Sequence, residues 1–323
     1  MKRRHWIAGM AALTALAGGG GLLWRSRTPR PVSPEDLAAR FARPLSPPGA
    51  GLVVHHLGHS LVGRDMPAML EQLAHAAGFV GHSHSSQLGW GASLRQHWEP
   101  DEPVPGFETE NAHPRHRPSR EALAEGHIDA LVLTEMVEIR DAIRYHDSAR
   151  YLALWAQAAR AANPDTRIYL YETWHRLDDP QGWAARVAAD LPRHWQGDIL
   201  RAALGHEGSG DIRIIPGGQV LAAVIAAAGA GQIAGLSGAE DFFARTPEGA
   251  VDPIHLGDLG AYVIAAAHFA TLYHASPEGL PHRLALADGS PADPLPDPAA
   301  EDVQRVVWQV VTGYAGSGVR ARA

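Results

Sequence analysis

The chain has 323 residues, 46% of them hydrophobic, which allows one large domain or two small ones with a sizeable core. With 28 basic against 35 acidic residues it carries a net charge of −7, which argues against a nucleic-acid binder. It has no cysteine, so disulfides, thiolate nucleophiles and Cys-type zinc sites are excluded.

The N-terminus opens with Lys2, Arg3 and Arg4, followed by an apolar stretch over residues 6–24 that glycines 18–21 interrupt. Ala15-Leu16-Ala17 supplies a small-x-small cleavage signal, so residues 1–27 read as an export signal. Arg3-Arg4-His5-Trp6-Ile7 resembles a twin-arginine signal. The expectation is a periplasmic or extracellular protein, either released or held by residues 6–24 as an N-terminal membrane anchor. Residues 28–50 are rich in Pro and Arg and read as a linker with one short helix over 34–41.

The globular part begins at residue 51. Residues 52–57 are β-rich. Residues 65–77 space Met66, Met69, Leu70 and Leu73 as a helix that Gly78 stops, and 79–84 follow as a second strand. Strands are then expected at 128–134, 167–173 and 211–215, the last closed by Pro216-Gly217-Gly218. Helices are expected at 148–162, 180–191, 219–228 and 260–273. This alternation predicts a flavodoxin-like, three-layer α/β/α sandwich with a five-stranded parallel sheet over residues 51–276. Ligands of such sheets bind beyond the carboxyl ends of the strands, here just after residues 57, 84, 134, 173 and 215. Residues 99–120, with five prolines and no periodicity, form a surface loop, either a lid over that edge or a plain insertion. The segment 277–323 is Pro- and Asp-rich at first. It then carries an amphipathic helix over 299–313, with Val303, Val306, Val307, Val310 and Val311 on one face, packing back on the domain.

Two short motifs can carry chemistry. Gly58-His59-Ser60-Leu61 follows the first strand directly, so the Ser60 hydroxyl and the amides of its turn emerge at the carboxyl edge. Taken alone, the default role of a serine in this place is a helix cap. It is not a G-x-S-x-G elbow, because Val62 stands two after the serine. Asp252-Pro253-Ile254-His255-Leu256-Gly257 precedes the last long helix of the domain. A spacing of three puts Asp252 and His255 on one side of a helical turn, where the carboxylate steadies the imidazole.

Together, the early Gly-x-Ser and the late Asp-x-x-His-Leu-Gly resemble the SGNH (GDSL-like) hydrolase superfamily, in a divergent bacterial branch. That resemblance implies a catalytic triad of Ser60, His255 and Asp252. It implies an oxyanion hole from the Ser60 amide and from Gly91, in Gly89-Trp90-Gly91-Ala92-Ser93-Leu94. The family's third block supplies a further donor from an Asn side chain. Here that block reads Leu133-Thr134-Glu135-Met136-Val137-Glu138, without Asn, and a carboxylate at Glu135 would repel an oxyanion.

The implied function is a serine esterase that removes small acyl groups, acetyl foremost, from a small-molecule or carbohydrate ester. An O-acetyltransferase with the same triad and a non-catalytic glycan-binding relative are the alternatives. Trp90, Glu135 and Trp174 are candidates for the substrate pocket, with the two indoles suited to stacking on a sugar ring. His55-His56, His82-x-His84 and His113-x-x-His116 lack an acidic partner set or an H-E-x-x-H pattern. The glycines around 228–238 lack the Lys and Ser/Thr of a phosphate loop. No metal, cofactor or nucleic-acid partner is therefore expected.

Overall fold

The computed structural model describes residues 29–320, and its compact body begins at Pro31. The export-signal and anchor expectations, on residues 1–27, lie outside the described residues. No helix among those described is long and apolar enough to cross a membrane.

Five parallel strands form the sheet in the order β2-β1-β3-β4-β5: β1 Val53–His59, β2 Ser83–Gly89, β3 Ala130–Leu133, β4 Arg167–Glu172 and β5 Ile212–Pro216. This is the flavodoxin-like sheet expected from the alternation. Because side chains alternate across a strand, each strand feeds both faces. Val54, Val132, Tyr169, Tyr171 and Ile215 point to one core, and Leu131, Leu133, Ile168, Leu170 and Ile214 to the other.

Helix α1 (Pro34–Phe41) is capped by the Ser33 hydroxyl and buries Leu37 in the second core. The segment around it is bonded to the body, Val32 N–H donating to the Arg201 carbonyl at 3.0 Å. The first core is covered by α2 (Asp65–Ala76). The second is covered by α3 (Ile139–His146), α4 (Ser148–Ala162) and a wide π-type helix, Leu191–Leu200, while α5 (Trp183–Asp190), which runs into that helix, turns Val187 to the first core. The first core is completed by α6 (Gly217–Gly229), α7 (Asp258–Tyr273) and α8 (Asp297–Gly313). Helix α8 packs on α6 and α7, burying Val303, Val307 and Val311, while Val306 and Val310 are only partly covered.

Three boundaries differ from expectation for physical reasons. The second strand is Ser83–Gly89, not 79–84, because residues 79–82 form a turn closed by His82 N–H on the Phe79 carbonyl. Its polar side chains are buried against partners: Ser85 Oγ meets His55 Nδ1 at 2.8 Å, and Gln87 Nε2 meets His97 Nδ1 at 3.0 Å. Helix α6 starts at Gly217 rather than after Gly218. The Glu172 carboxylate accepts the Gly218 N–H at 2.8 Å, and a Cβ on Gly217 would strike the Tyr171 ring at 2.4 Å. The helical run after residue 183 passes through Pro192, which reads as a stop, by widening to the π form.

Between α6 and α7 lies a second, two-stranded antiparallel ribbon: β6 Phe243–Arg245 and β7 Val251–Leu256. Its register pairs Phe243 with Leu256 and Arg245 with Val251, so residues 252–255 bulge out of the ladder.

Candidate active site

The sheet order makes the carboxyl end of β1, between β2 and β3, the place where the chain reverses its direction across the sheet. Ser60 is the first residue beyond β1 there. Gly58 is required just before it, since a Cβ would meet Thr134 Cγ2 at 2.5 Å. The turn closes through Val62 N–H on the His59 carbonyl at 2.9 Å.

Two buried imidazoles brace this turn from behind. His59 Nε2 donates to the Glu135 carbonyl at 2.7 Å, which leaves Nδ1 to accept the Leu61 N–H at 3.3 Å. His97 Nε2 donates to the Gly58 carbonyl at 2.7 Å, and its Nδ1 accepts from Gln87. Both bond sets need a neutral ring. Burial supplies it by pushing both imidazoles down to about 4.

Asp252 and His255 come from the bulge of the β6–β7 ribbon, not from the helical turn that their spacing suggested. Pro253 and the ladder bonds on either side disfavour a helix, and the Asp252 side chain shapes the bulge instead. Asp252 Oδ1 accepts the N–H groups of Ile254 at 2.8 Å and His255 at 2.9 Å. The segment after β4 clamps the same bulge. Trp174 Nε1–H donates to the Ile254 carbonyl and Leu177 N–H to the Pro253 carbonyl, both at 2.8 Å.

The three residues, far apart in sequence, form one chain of hydrogen bonds. Ser60 Oγ lies 3.1 Å from His255 Nε2, and His255 Nδ1 lies 3.0 Å from Asp252 Oδ2. A carboxylate only accepts, so Nδ1 carries the ring proton and Nε2 is left to accept from the serine hydroxyl. Burial pushes the Asp252 carboxyl up, but the His255 and Ile254 amides and the His255 ring outweigh it and hold the acid below its ordinary range.

Gly91 follows β2 in the left-handed region, at φ +56°, on the same edge. The Gly91 backbone N–H has no hydrogen-bond partner among the described residues and so remains able to donate to an anionic oxygen, and the Ser60 N–H lies just past the last register pair, His59 with Gly89, on the same edge.

Two spaces meet at Ser60 and His255: an open groove of about 640 Å³ and a smaller cavity of about 130 Å³. Trp90 lines the groove and is 54% exposed. Its indole N–H donates to Glu110 Oε1 at 2.7 Å, and Gly106 lies flat under its ring, where a Cβ would come within 2.2 Å. Residues 99–120 thus buttress Trp90. They also fill the sheet edge, as Asn111 bonds both the N–H and the carbonyl of Leu88. Trp174 is buried and lines the smaller cavity.

Glu135 does not reach either space. It is fully buried, with Oε2 accepting the Met136 N–H at 3.0 Å, and burial pushes its carboxyl up to about 7. Its place in the substrate pocket is corrected accordingly: after β3 the chain turns the Glu135 side chain inward, and Val137 reaches the groove instead. Glu110, Arg176 and Ile254 also line the groove and were not singled out from sequence, since they sit on separate connections without a shared pattern.

Three of the other histidines are bonded within the fold. His55 bridges Ser85 and Ser119 at 2.8 Å on each side, His82 bonds Tyr273, and His84 pairs with Glu71. Among the described residues no group of three or more His, Asp or Glu is arranged to hold a metal ion.

No family model and no curated protein matches the chain. Among solved structures, a DUF4886 family protein from Bacteroides uniformis ATCC 8492 is similar at a TM-score of 0.50 and 16% identity, over 81% of this chain and 95% of that one. A candidate GDSL-like lipase from Parabacteroides merdae ATCC 43184 gives 0.41 at 15% identity, over 69% and 96%. A carbohydrate esterase family 3 protein from Talaromyces cellulolyticus gives 0.38 at 16% identity, over 68% and 96%. The first of these shares the fold, and at such identity the likeness extends no further than the fold.

Proposed function

We propose that this protein is a serine ester hydrolase of the SGNH type, with Ser60 as nucleophile, His255 as general base and Asp252 as its orienting carboxylate. The observation that carries the reading is the unbroken hydrogen-bond chain Ser60–His255–Asp252 at the reversal point of the sheet.

The chemistry follows from the proton positions. His255 Nε2 takes the Ser60 proton as Oγ attacks the ester carbonyl, and the Ser60 and Gly91 amides receive the oxyanion. Asp252 stabilises the imidazolium, which then gives its proton to the departing alcohol. Water, deprotonated by the same ring, releases the acyl group and restores Ser60. The two amides form the hole without the Asn side chain of the family pattern. The groove beside Trp90 suits a polar alcohol such as a sugar, whose apolar face stacks on an exposed indole.

Hydrolysis of p-nitrophenyl acetate and of a peracetylated sugar by the wild type and by Ser60→Ala tests this. The reading requires turnover by the wild type and a loss of at least about 10³-fold in Ser60→Ala. A folded wild type inactive on both esters, or a Ser60→Ala variant as active as the wild type, contradicts it.

A further inference from the structure

The two spaces at Ser60 are unequal in size and in the chemistry of their walls. The groove is open and carries Trp90, Glu110 and Arg176. The cavity, about 130 Å³, enters between α2 and α7 and is walled by Met66, Trp174, Leu256, Ala261 and Ile264, with Asp65 its one carboxylate. Met66, Trp174 and Ile264 are buried, so this wall is part of the packed core. A cavity of roughly 150 Å³ holds one benzene, so an acyl chain of a few carbons fills this one and a fatty chain would extend out of its open mouth.

Trp174 has a second contact. Its indole N–H donates to the carbonyl of Ile254, the residue between Asp252 and His255 in the bulge. The His255 side chain is itself 47% exposed, so little packing holds it. Its position depends on the backbone of the bulge, and the bulge is tied to β4 by the Trp174 and Leu177 N–H groups.

We propose that the smaller cavity is the acyl site, and that Trp174 both limits acyl length and, through the Ile254 carbonyl, positions His255 against Ser60. Trp174 is then a specificity-determining and positioning residue. The assignment rests on the ester-hydrolase reading. One side chain would couple the fit of the acyl group to the placement of the base, since a shift of the indole moves the Ile254 carbonyl as well as the cavity wall.

The test uses the full-length wild type, Trp174→Phe and Met66→Ala, with kcat and KM measured on p-nitrophenyl acetate, butyrate and octanoate. Thermal melts establish that each variant is folded. Met66→Ala opens the wall and keeps the indole N–H. Trp174→Phe opens it and removes the N–H. Both should raise the octanoate-to-acetate ratio of kcat/KM at least about fivefold, and Trp174→Phe should also lower kcat on acetate about tenfold with KM within about threefold. Chain-length ratios unchanged in both variants overturn the acyl-site assignment. A chain-length shift in Trp174→Phe without loss of kcat overturns the positioning role. If Trp174→Phe does not fold, an unchanged ratio in Met66→Ala alone overturns the acyl site. A wild type that turns over no ester of any length overturns the hydrolase reading, and this assignment with it.

Discussion

The two oxygens of the Asp252 carboxylate act separately on His255: Oδ1 accepts its backbone N–H at 2.9 Å, and Oδ2 accepts its ring Nδ1–H at 3.0 Å. One oxygen shapes the bulge and the other sets the tautomer. The division matters because residues 252–255 have left the ladder and receive no register bonds of their own.

The two tasks can be separated by substitution. In Asp252→Asn the side-chain oxygen can still accept the amides of Ile254 and His255, while an NH₂ group faces the ring and favours the wrong tautomer. The expected outcome is a fall in kcat of about 10³–10⁴-fold with a nearly unchanged melting temperature. Asp252→Ala should lose the same activity and melt several degrees lower as well. Steady-state kinetics with thermal melts of both variants check this.

Glu135 should make the protein less stable as the pH rises. Its folded-state pKa, raised by burial to about 7, lies above the ordinary carboxyl value of 4.5. The group therefore favours folding fully below about 4.5, and that contribution is lost as the pH rises through about 7. Glu135→Gln cannot ionise, so it should stabilise the protein at pH 8 by up to about 3 kcal/mol and much less at pH 5. Urea titrations of both proteins at the two pH values report the difference. Equal effects at both would show that the carboxyl is ionised and solvated in the native state.

Acid has the opposite action on the buried histidines. Burial is the main cause that lowers His55 to about 3, lowers His59, His82, His97 and His268 to about 4, and lowers His56 as well. Their stabilisation is complete above the unfolded value of 6.5 and is lost as the pH falls toward 4. At pH 4.5 each of the other five, His56 aside, costs about 2–3 kcal/mol, whereas Glu135 and Glu172, raised by burial, return about 3 each. The balance is comparable to a domain's whole stability of roughly 5–15 kcal/mol. Circular dichroism should therefore show cooperative unfolding between about pH 5 and 4. A protein still folded at pH 4 would show that these rings are not held neutral.

The fold was largely legible because its signals are apolar and periodic. Residues 148–162 read as a helix at the bounds observed, and β1, β3, β4 and β5 stand within two residues of the runs of Val, Leu, Ile and Tyr. The edge strand β2 was misplaced because Ser, His and Gln fill it, and their burial depends on partners such as His55, His97 and Asn111. The candidate site was legible at Ser60, Asp252 and His255 through their motifs, but not in its backbone. Pro253 is the one local sign against a helix there, and the bulge itself is set from another strand, by the register of Phe243 and Arg245. Glu135 was misjudged because one residue's rotation after β3 decides whether a side chain enters the groove or the core. Arg176, Glu110 and Val137 meet only through the fold.

The central claim is that Ser60 is the nucleophile and that His255 activates it. Reaction with a fluorophosphonate, followed by intact-mass and peptide mass spectrometry, reads this out without choosing a substrate. The account expects a single adduct on Ser60 in the wild type, none in Ser60→Ala, and labelling slowed at least about 10²-fold in His255→Ala. An adduct on another serine, or labelling of Ser60 at the same rate without His255, would contradict it.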